Sequence, residues 1–417
     1  MPSNKPEELF WDSRASLRYI RTLSQQKLVS RWTLLGVAIQ RTLHTVPWDV
    51  HYESFRGAAP LNTLVGFVGP TGTGKTLGVG VLGDFVIFPD NDPADAFTNS
   101  WKGFVEAGSG EAMPDFYVQA APKESEDSKE YELAFDKKTW AHPNHAVAFS
   151  FDEIGMLDAR NARQGSTITE YLKQGYTGSA FGRVLKGRKG TLLQPRTYRF
   201  TCGVNLQPAR AASFFTDEQV AGGFPSRFVW FNTQDRTLKR SVEPVELEPI
   251  RAAFVDWNGV RSIRALPVMD EEHKDQHFAS MEGRVESIDS HLLLTRAKVA
   301  CALAVLDNRV ALSQEDWEMS VVVIAHSIQT RSEILETLAK ESSRTRDRNA
   351  KAAATLAATT EEIKYGKNVE RVATNIRKAL QSGKVKSLND KSLAKQISSR
   401  DRDFISEAIQ FLEDNQN

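Results

Sequence analysis

Cysteine is nearly absent: Cys202 and Cys301 are the only two in 417 residues, and both sit in apolar runs. That excludes a disulfide framework and suits a reducing compartment. With no cysteine near His142 and His145, a zinc site there lacks ligands. Long apolar runs are missing too. The longest near the start, WTLLGVAI, is far too short to cross a bilayer, and MPSNKPEELFWDSR has no signal core, so a cytoplasmic protein without membrane contact is expected. Net charge is also lacking, since Lys plus Arg and Asp plus Glu are both 53, and the overall balance predicts no nucleic-acid partner. The last absence is local: no Asp or Glu occurs from Tyr171 through Thr216. That stretch carries Lys173, Arg183, Lys186, Arg188, Lys189, Arg196, Arg199 and Arg210. A one-sign block of this length is the chain's clearest electrostatic signature.

What is present centres on Leu64 to Thr76, LVGFVGPTGTGKT. An apolar, strand-like run ends in a loop that satisfies G-x-x-x-x-G-K-[ST], the P-loop pattern. In the loop Gly69, Pro70, Thr71, Gly72, Thr73 and Gly74 the glycines let backbone N–H groups curl around phosphate oxygens, Lys75 reaches the β and γ phosphates, and the Thr76 hydroxyl suits Mg²⁺. LGVGVLGDFVI continues as a helix. ATP with Mg²⁺ is the expected ligand.

Downstream, AVAFSFDEIG reads as a buried strand delivering Asp152 and Glu153 at its carboxyl end, the Walker B arrangement. Asp152 would hold Mg²⁺ through water, and Glu153 would act as general base. GRVLKGRKGTLL could form a hairpin that grips phosphates through Arg183, Lys186, Arg188 and Lys189 without reading bases. The strand TYRFTCGV ends in Asn205, placed to hydrogen-bond a γ-phosphate or the attacking water. Arg227 in PSRF is either a finger acting on a neighbouring subunit or one half of an internal ion pair.

The flanks read as helical. Leu28, Trp32, Leu35, Ile39 and Leu43 share a face of an amphipathic N-terminal segment, Glu8 to Val46. Ala94 to Val105 reads as a short helix and Phe116 to Ala120 as a strand. The segment KESEDSKEYELAFDKK is a solvated insertion. HLLLTRAKVACALAVLDN and the segment opened by Ser313 and Asp316 form two packed helices of a lid. The last three short helices outline a helix-turn-helix that is only mildly basic. The expectation is an α/β, parallel-sheet P-loop core over 56–245, with a helical collar over 1–55, a helical lid over 246–345, and a linker plus helix-turn-helix over 346–417.

In this order the parts resemble the AAA+ ATPases with a hairpin before sensor 1, the group containing minichromosome maintenance helicases. From Phe10 to His326 the chain is also similar to the replication P-loop proteins of actinobacterial phages and integrative elements, the helicase half of primase-polymerase–helicase proteins. FWDSRASLRYIR, PLNTLVGFVGPTGTGKT, GSGEAM, SFDEIG, LKGR and LLTRAKVACALAVLDN with EDW carry this second likeness. The resemblance implies a homo-oligomeric ring, normally a hexamer, in a bacterial host cytoplasm, driven by ATP. The hairpin would contact single-stranded or forked DNA, Asn205 would serve as sensor 1, Arg227 as the finger acting in trans, and Arg296 would fall in a sensor 2 region. Priming would need a separate primase or polymerase. A duplex-packaging or transfer ATPase and a nucleotide-switched loader or regulator are the alternatives.

Overall fold

The computed structural model describes residues 5–91, 103–118, 145–152, 167–182 and 191–415. They belong to two compact units, Met1–Leu338 and Ala339–Asn417.

The first unit opens with three helices, α1 (Lys5–Ser13), α2 (Ala15–Lys27) and α3 (Arg31–Thr45), then a hairpin of β1 (His51–Ser54) and β2 (Gly57–Pro60). There follow β3 (Thr63–Val68), α4 (Lys75–Phe85), β4 (Val86–Ile87), β5 (Ala146–Phe151) and α5 (Thr167–Thr177). A short antiparallel pair, β6 (Phe181–Gly182) and β7 (Leu192–Leu193), leads to β8 (Arg199–Leu206), α6 (Asp217–Ala221) and β9 (Phe228–Asn232). The remainder holds β10 (Ile250–Arg251), β11 (Ser262–Arg264), α7 (Pro267–Met281), α8 (Leu292–Leu306) and α9 (Gln314–Gln381), whose later turns belong to the second unit.

This is a mixed α/β fold around a four-stranded, all-parallel sheet of order β5-β8-β3-β9. Every residue of β3 and β8 is buried, which is why neither shows the apolar–polar alternation of a strand with one wet face. Val105 extends the β5 edge by one parallel bridge, its N–H donating to Ala148 O at 2.9 Å while Ser150 N–H donates to Val105 O at 2.9 Å. Val105 is therefore in β geometry rather than at the end of a helix. Because all four strands run the same way, their carboxyl ends share one edge, where loops can converge.

Two expectations need correction. The stretch beginning at Phe116 is no strand: Gly110–Tyr117 forms a 3₁₀ helix, with Ser109 Oγ accepting from Ala112 N–H. Pro114 lies inside it and has no N–H for a ladder. Phe116 and Tyr117 turn to the sheet instead, Phe116 edge-on to Phe149 and Tyr117 Oη donating to Arg199 O at 2.9 Å.

The N-terminal segment is not an amphipathic collar either. Leu28 ends α2 in a left-handed conformation (φ 53°) and is exposed, while α3 is buried from Arg31 to His44. That helix packs against all four strands of the sheet, α4 and α8. Its longest polar side chains are matched in place: Arg41 pairs with Asp90 at 2.7 Å, Gln40 Nε2 donates to Phe149 O at 3.1 Å, and Arg31 pairs with Glu7 at 2.7 Å. Satisfied polar groups let a helix go inside without a wet face.

The lid helices are tied to this body. Asp316 and Ser313 cap α9 reciprocally: Asp316 N–H donates to Ser313 Oγ at 3.3 Å and Ser313 N–H to Asp316 Oδ2 at 2.8 Å. Arg14 reaches across from the N-terminal helices to Asp316 (2.7 Å), Glu315 (2.8 Å) and Asp307 (3.0 Å).

The second unit has its own small core. Val372, Ile376, Val385, Leu393, Ile397, Ala408 and Leu412 pack together. They come from the end of α9, from α10 (Leu393–Gln396) and α11 (Ile405–Asp414), and from the connecting residues Val385 and Ile397. Asp401 is buried and paired with Arg371 at 2.7 Å.

Candidate functional site

At the carboxyl edge of the sheet, β3 gives way to the glycine-rich loop. Gly72 and Gly74 adopt φ of +83° and +80°, a region that only glycine enters without strain. Gly69 is required for a different reason. A Cβ there would lie 2.0 Å from Thr233 Oγ1. Thr233 follows β9; its N–H donates to Val68 O at 2.8 Å, and its hydroxyl lies 2.6 Å from Thr73 Oγ1. The end of the neighbouring strand thus closes on the loop.

Lys75 begins α4, with Gly74 as the residue before it. Its Nζ donates to Gly69 O (2.8 Å) and Pro70 O (2.7 Å), and no carboxylate pairs with it among the described residues. Partial burial holds its pKa below the usual lysine value. The ammonium is bent back over the loop and is held by neutral carbonyls alone. An anion arriving at the first turn of α4 would compete for it with a full charge.

The strand ends meet across a cleft of about 460 Å³ lined by Thr71, Gly72, Gly74, Lys75, Thr76, Leu77, Asp152 and Gln207. Asp152 directly follows β5, and β8 lies between that strand and β3. The register pairs Phe151 with Val204 and Phe67 with Asn205. Asn205 consequently falls beside the acid: its Nδ2 donates to Asp152 Oδ1 at 3.0 Å. Thr76 and Asp152 offer hard oxygen donors to the same cleft. Among the described residues there is no group of three or more His, Cys, Asp or Glu able to hold a metal. One carboxylate and one hydroxyl fit a Mg²⁺ ion that keeps waters and takes its remaining ligands from phosphates.

The other expected residues stand apart from this cleft or outside the described part. Glu153, Arg183, Lys186, Arg188 and Lys189 lie outside the described residues. The base of their segment is described: Phe181 pairs with Leu193 and Gly182 with Leu192, antiparallel. Not every cation of the acid-free block is at the surface. Arg199 is fully buried, donating to Val46 O at 3.1 Å and to Pro47 O and Val50 O, both at 2.7 Å. Lys173 pairs with Glu170 at 2.8 Å.

Arg227 is buried at 8% exposure, with one guanidinium nitrogen donating to Gly222 O at 2.7 Å and burial lowering its pKa. Its bond is to a carbonyl within its own chain, and no carboxylate pairs with it among the described residues. Arg296 belongs to the lid. It pairs with Glu272 at 2.6 Å, donates to Ser320 Oγ and Trp317 O, and lies 3.4 Å from the Trp317 ring centroid.

Two residues of the cleft and its rim, Gln207 and Thr233, escaped the sequence reading. Gln207 had a signal, because it stands two residues beyond Asn205 and strand alternation puts both on one side. Thr233 had none, since its role comes from a neighbour distant in sequence.

No protein-family model matches this chain, and a comparison with curated proteins finds no match.

Proposed function

We propose that the chain is an ATP hydrolase that drives movement along DNA, a ring-forming helicase or translocase of AAA+ type. The observation that carries the nucleotide part is the convergence of the positive-φ glycine loop, Lys75, Thr76 and the Asn205-oriented Asp152 on one cleft. Loop N–H groups and the start of α4 would cradle the phosphates. Lys75 would exchange its two carbonyl partners for phosphate oxygens, at little cost because neither partner is charged. Thr76 and Asp152 would hold Mg²⁺, which supplies charge neutralisation between phosphate oxygens. Glu153 would accept a proton from the water that attacks the terminal phosphorus, as the bond to the bridging oxygen breaks and ADP leaves.

The DNA part rests on the acid-free segment and on the antiparallel base from which residues 183–190 would project their cations. Backbone phosphates are the partner such a segment suits, and single-stranded or forked DNA supplies them. A hexameric ring and a separate primase or polymerase follow from the family resemblance. Arg227 would be the finger acting in trans, exchanging the neutral carbonyl of Gly222 for a phosphate oxygen at the neighbouring subunit's site.

The test is ATP turnover without nucleic acid, with single-stranded DNA and with duplex DNA, alongside native mass with a non-hydrolysable nucleotide. Lys75→Ala and Asp152→Asn should each lose at least about 100-fold in turnover. Replacing Lys186, Arg188 and Lys189 by Ala should remove DNA stimulation and flatten the salt dependence of DNA binding. A monomer whose turnover ignores every nucleic acid would overturn the motor reading; stimulation by duplex without strand separation would favour a packaging or transfer ATPase.

A further inference from the structure

We infer that Gln207, rather than Asn205, presents the amide that meets the terminal phosphate and the attacking water, and that Asn205 acts through Asp152. The inference rests on the nucleotide reading above. Asn205 and Gln207 stand two apart at the end of β8, so one strand end offers two amides in succession.

Their surroundings assign different tasks. Asn205 is buried, commits its Nδ2 to Asp152 Oδ1, and does not line the cleft. Turning it toward a phosphate would cost that bond and release the carboxylate. Gln207 is half-buried in the lining of the cleft, and its side-chain amide has no partner among the described residues.

The backbone of Gln207 is nevertheless fixed. It is extended (φ −93°, ψ 125°), its carbonyl accepts from Arg210 N–H at 2.9 Å, and Pro208 disfavours any helical alternative. A free amide on a fixed Cα can do two things at once: Nε2 donates to a phosphate oxygen and Oε1 accepts from a water. Being uncharged, it needs no desolvated counter-ion and does not titrate. Asn205, one methylene shorter and already bonded, is a positioning residue that leaves the second oxygen of Asp152 free for a cation.

The experiment uses the full-length chain and four variants: Gln207→Ala, Gln207→Glu, Asn205→Ala and Asn205→Ser. Steady-state ATP turnover is read against Mg²⁺ concentration, and Mn²⁺ binding in the presence of a non-hydrolysable ATP analogue is followed directly by electron paramagnetic resonance. Gln207→Ala should lower kcat by about 100-fold, the cost of one well-placed donor. Its KM and Mn²⁺ affinity should stay within about threefold. Gln207→Glu, which keeps the shape but replaces the donor with a negative charge, should lower kcat at least as far.

Asn205→Ala and Asn205→Ser should weaken Mn²⁺ binding by about tenfold or more and recover turnover as Mg²⁺ is raised. Gln207→Ala with kcat within threefold of the parent would overturn the proposal. So would an Asn205 variant that binds Mn²⁺ normally yet stays slow. If the parent chain binds no nucleoside triphosphate at all, the nucleotide reading fails with it, a result distinct from an active parent indifferent to Gln207.

Discussion

Gly69 and Thr233 meet where the loop crosses the end of β9, and the 2.0 Å approach of a Cβ at position 69 to Thr233 Oγ1 leaves no room for even one methyl group. Gly69→Ala should therefore displace the loop, lose ATP binding, and cost about 1–3 kcal/mol of stability as an overpacking change. Thr233→Ala in the same chain should restore part of both. Nucleotide titration with thermal unfolding of the single and double variants checks this.

A second residue-scale prediction concerns His326, which stacks on Trp32 at 3.8 Å between centroids and accepts from Asn232 N–H. Burial, reinforced by the charge of Arg31, lowers its pKa to about 3. A base depressed in this way stays neutral when folded but protonates in the unfolded chain. Its contribution is complete above the ordinary value of about 6.5 and is lost progressively as pH falls toward the folded value. At pH 5 the loss is about 2 kcal/mol. His326→Gln keeps an acceptor without the titration, so its Tm should fall less steeply than the parent's between pH 7.5 and 5.

Among the elements, the cap of α9 carries more than its own helix. Asp316 is held below its ordinary pKa because hydrogen bonds from Arg309, Ser313 and Arg14 outweigh the upward pull of burial. Asp316→Ala should remove the cap and strip a buried anion from Arg14, costing about 3 kcal/mol. Asn would keep most of the cap and less of the ion pairs, so the urea midpoints should fall in the order parent, Asn, Ala.

That cap was legible in the sequence because its signal is local, Ser313 followed by Asp316. So was the central sheet: LVGFV, AVAFSF and TYRFTCGV are mostly apolar or β-favouring, as strands covered on both faces tend to be. Less was legible where the answer lies in a distant partner. The periodicity around Trp32 could not reveal that the other side of α3 is also covered. Arg199 read as one cation of the basic block and Arg227 as a finger or half of an internal ion pair, whereas backbone carbonyls at Val46, Pro47 and Val50 hold Arg199 inside and Gly222 O accepts from Arg227. At the cleft, Asp152 and Asn205 were visible as strand ends. Their mutual bond needed the strand order, which no single segment encodes.

At the scale of the whole molecule, the separate cores predict separate melting. The residues around Val372 and Leu412 form a cluster of their own. A chain ending at Thr345 should keep ATP turnover, hold its Tm within a few degrees, and lose a second, smaller calorimetric transition shown by the full chain.

The burial of α3 also bears on how the protein is made. Its partners include β3, β5, β8, β9, α4 and α8, and its own Trp32 waits for His326. At about 5–20 residues per second, a ribosome needs tens of seconds to reach that histidine. For that interval α3 has no finished cavity to enter. Nascent chains stalled short of His326 should be protease-sensitive near Trp11 and Trp32 and bind hydrophobic-surface chaperones, and protection should arrive late in synthesis and all at once.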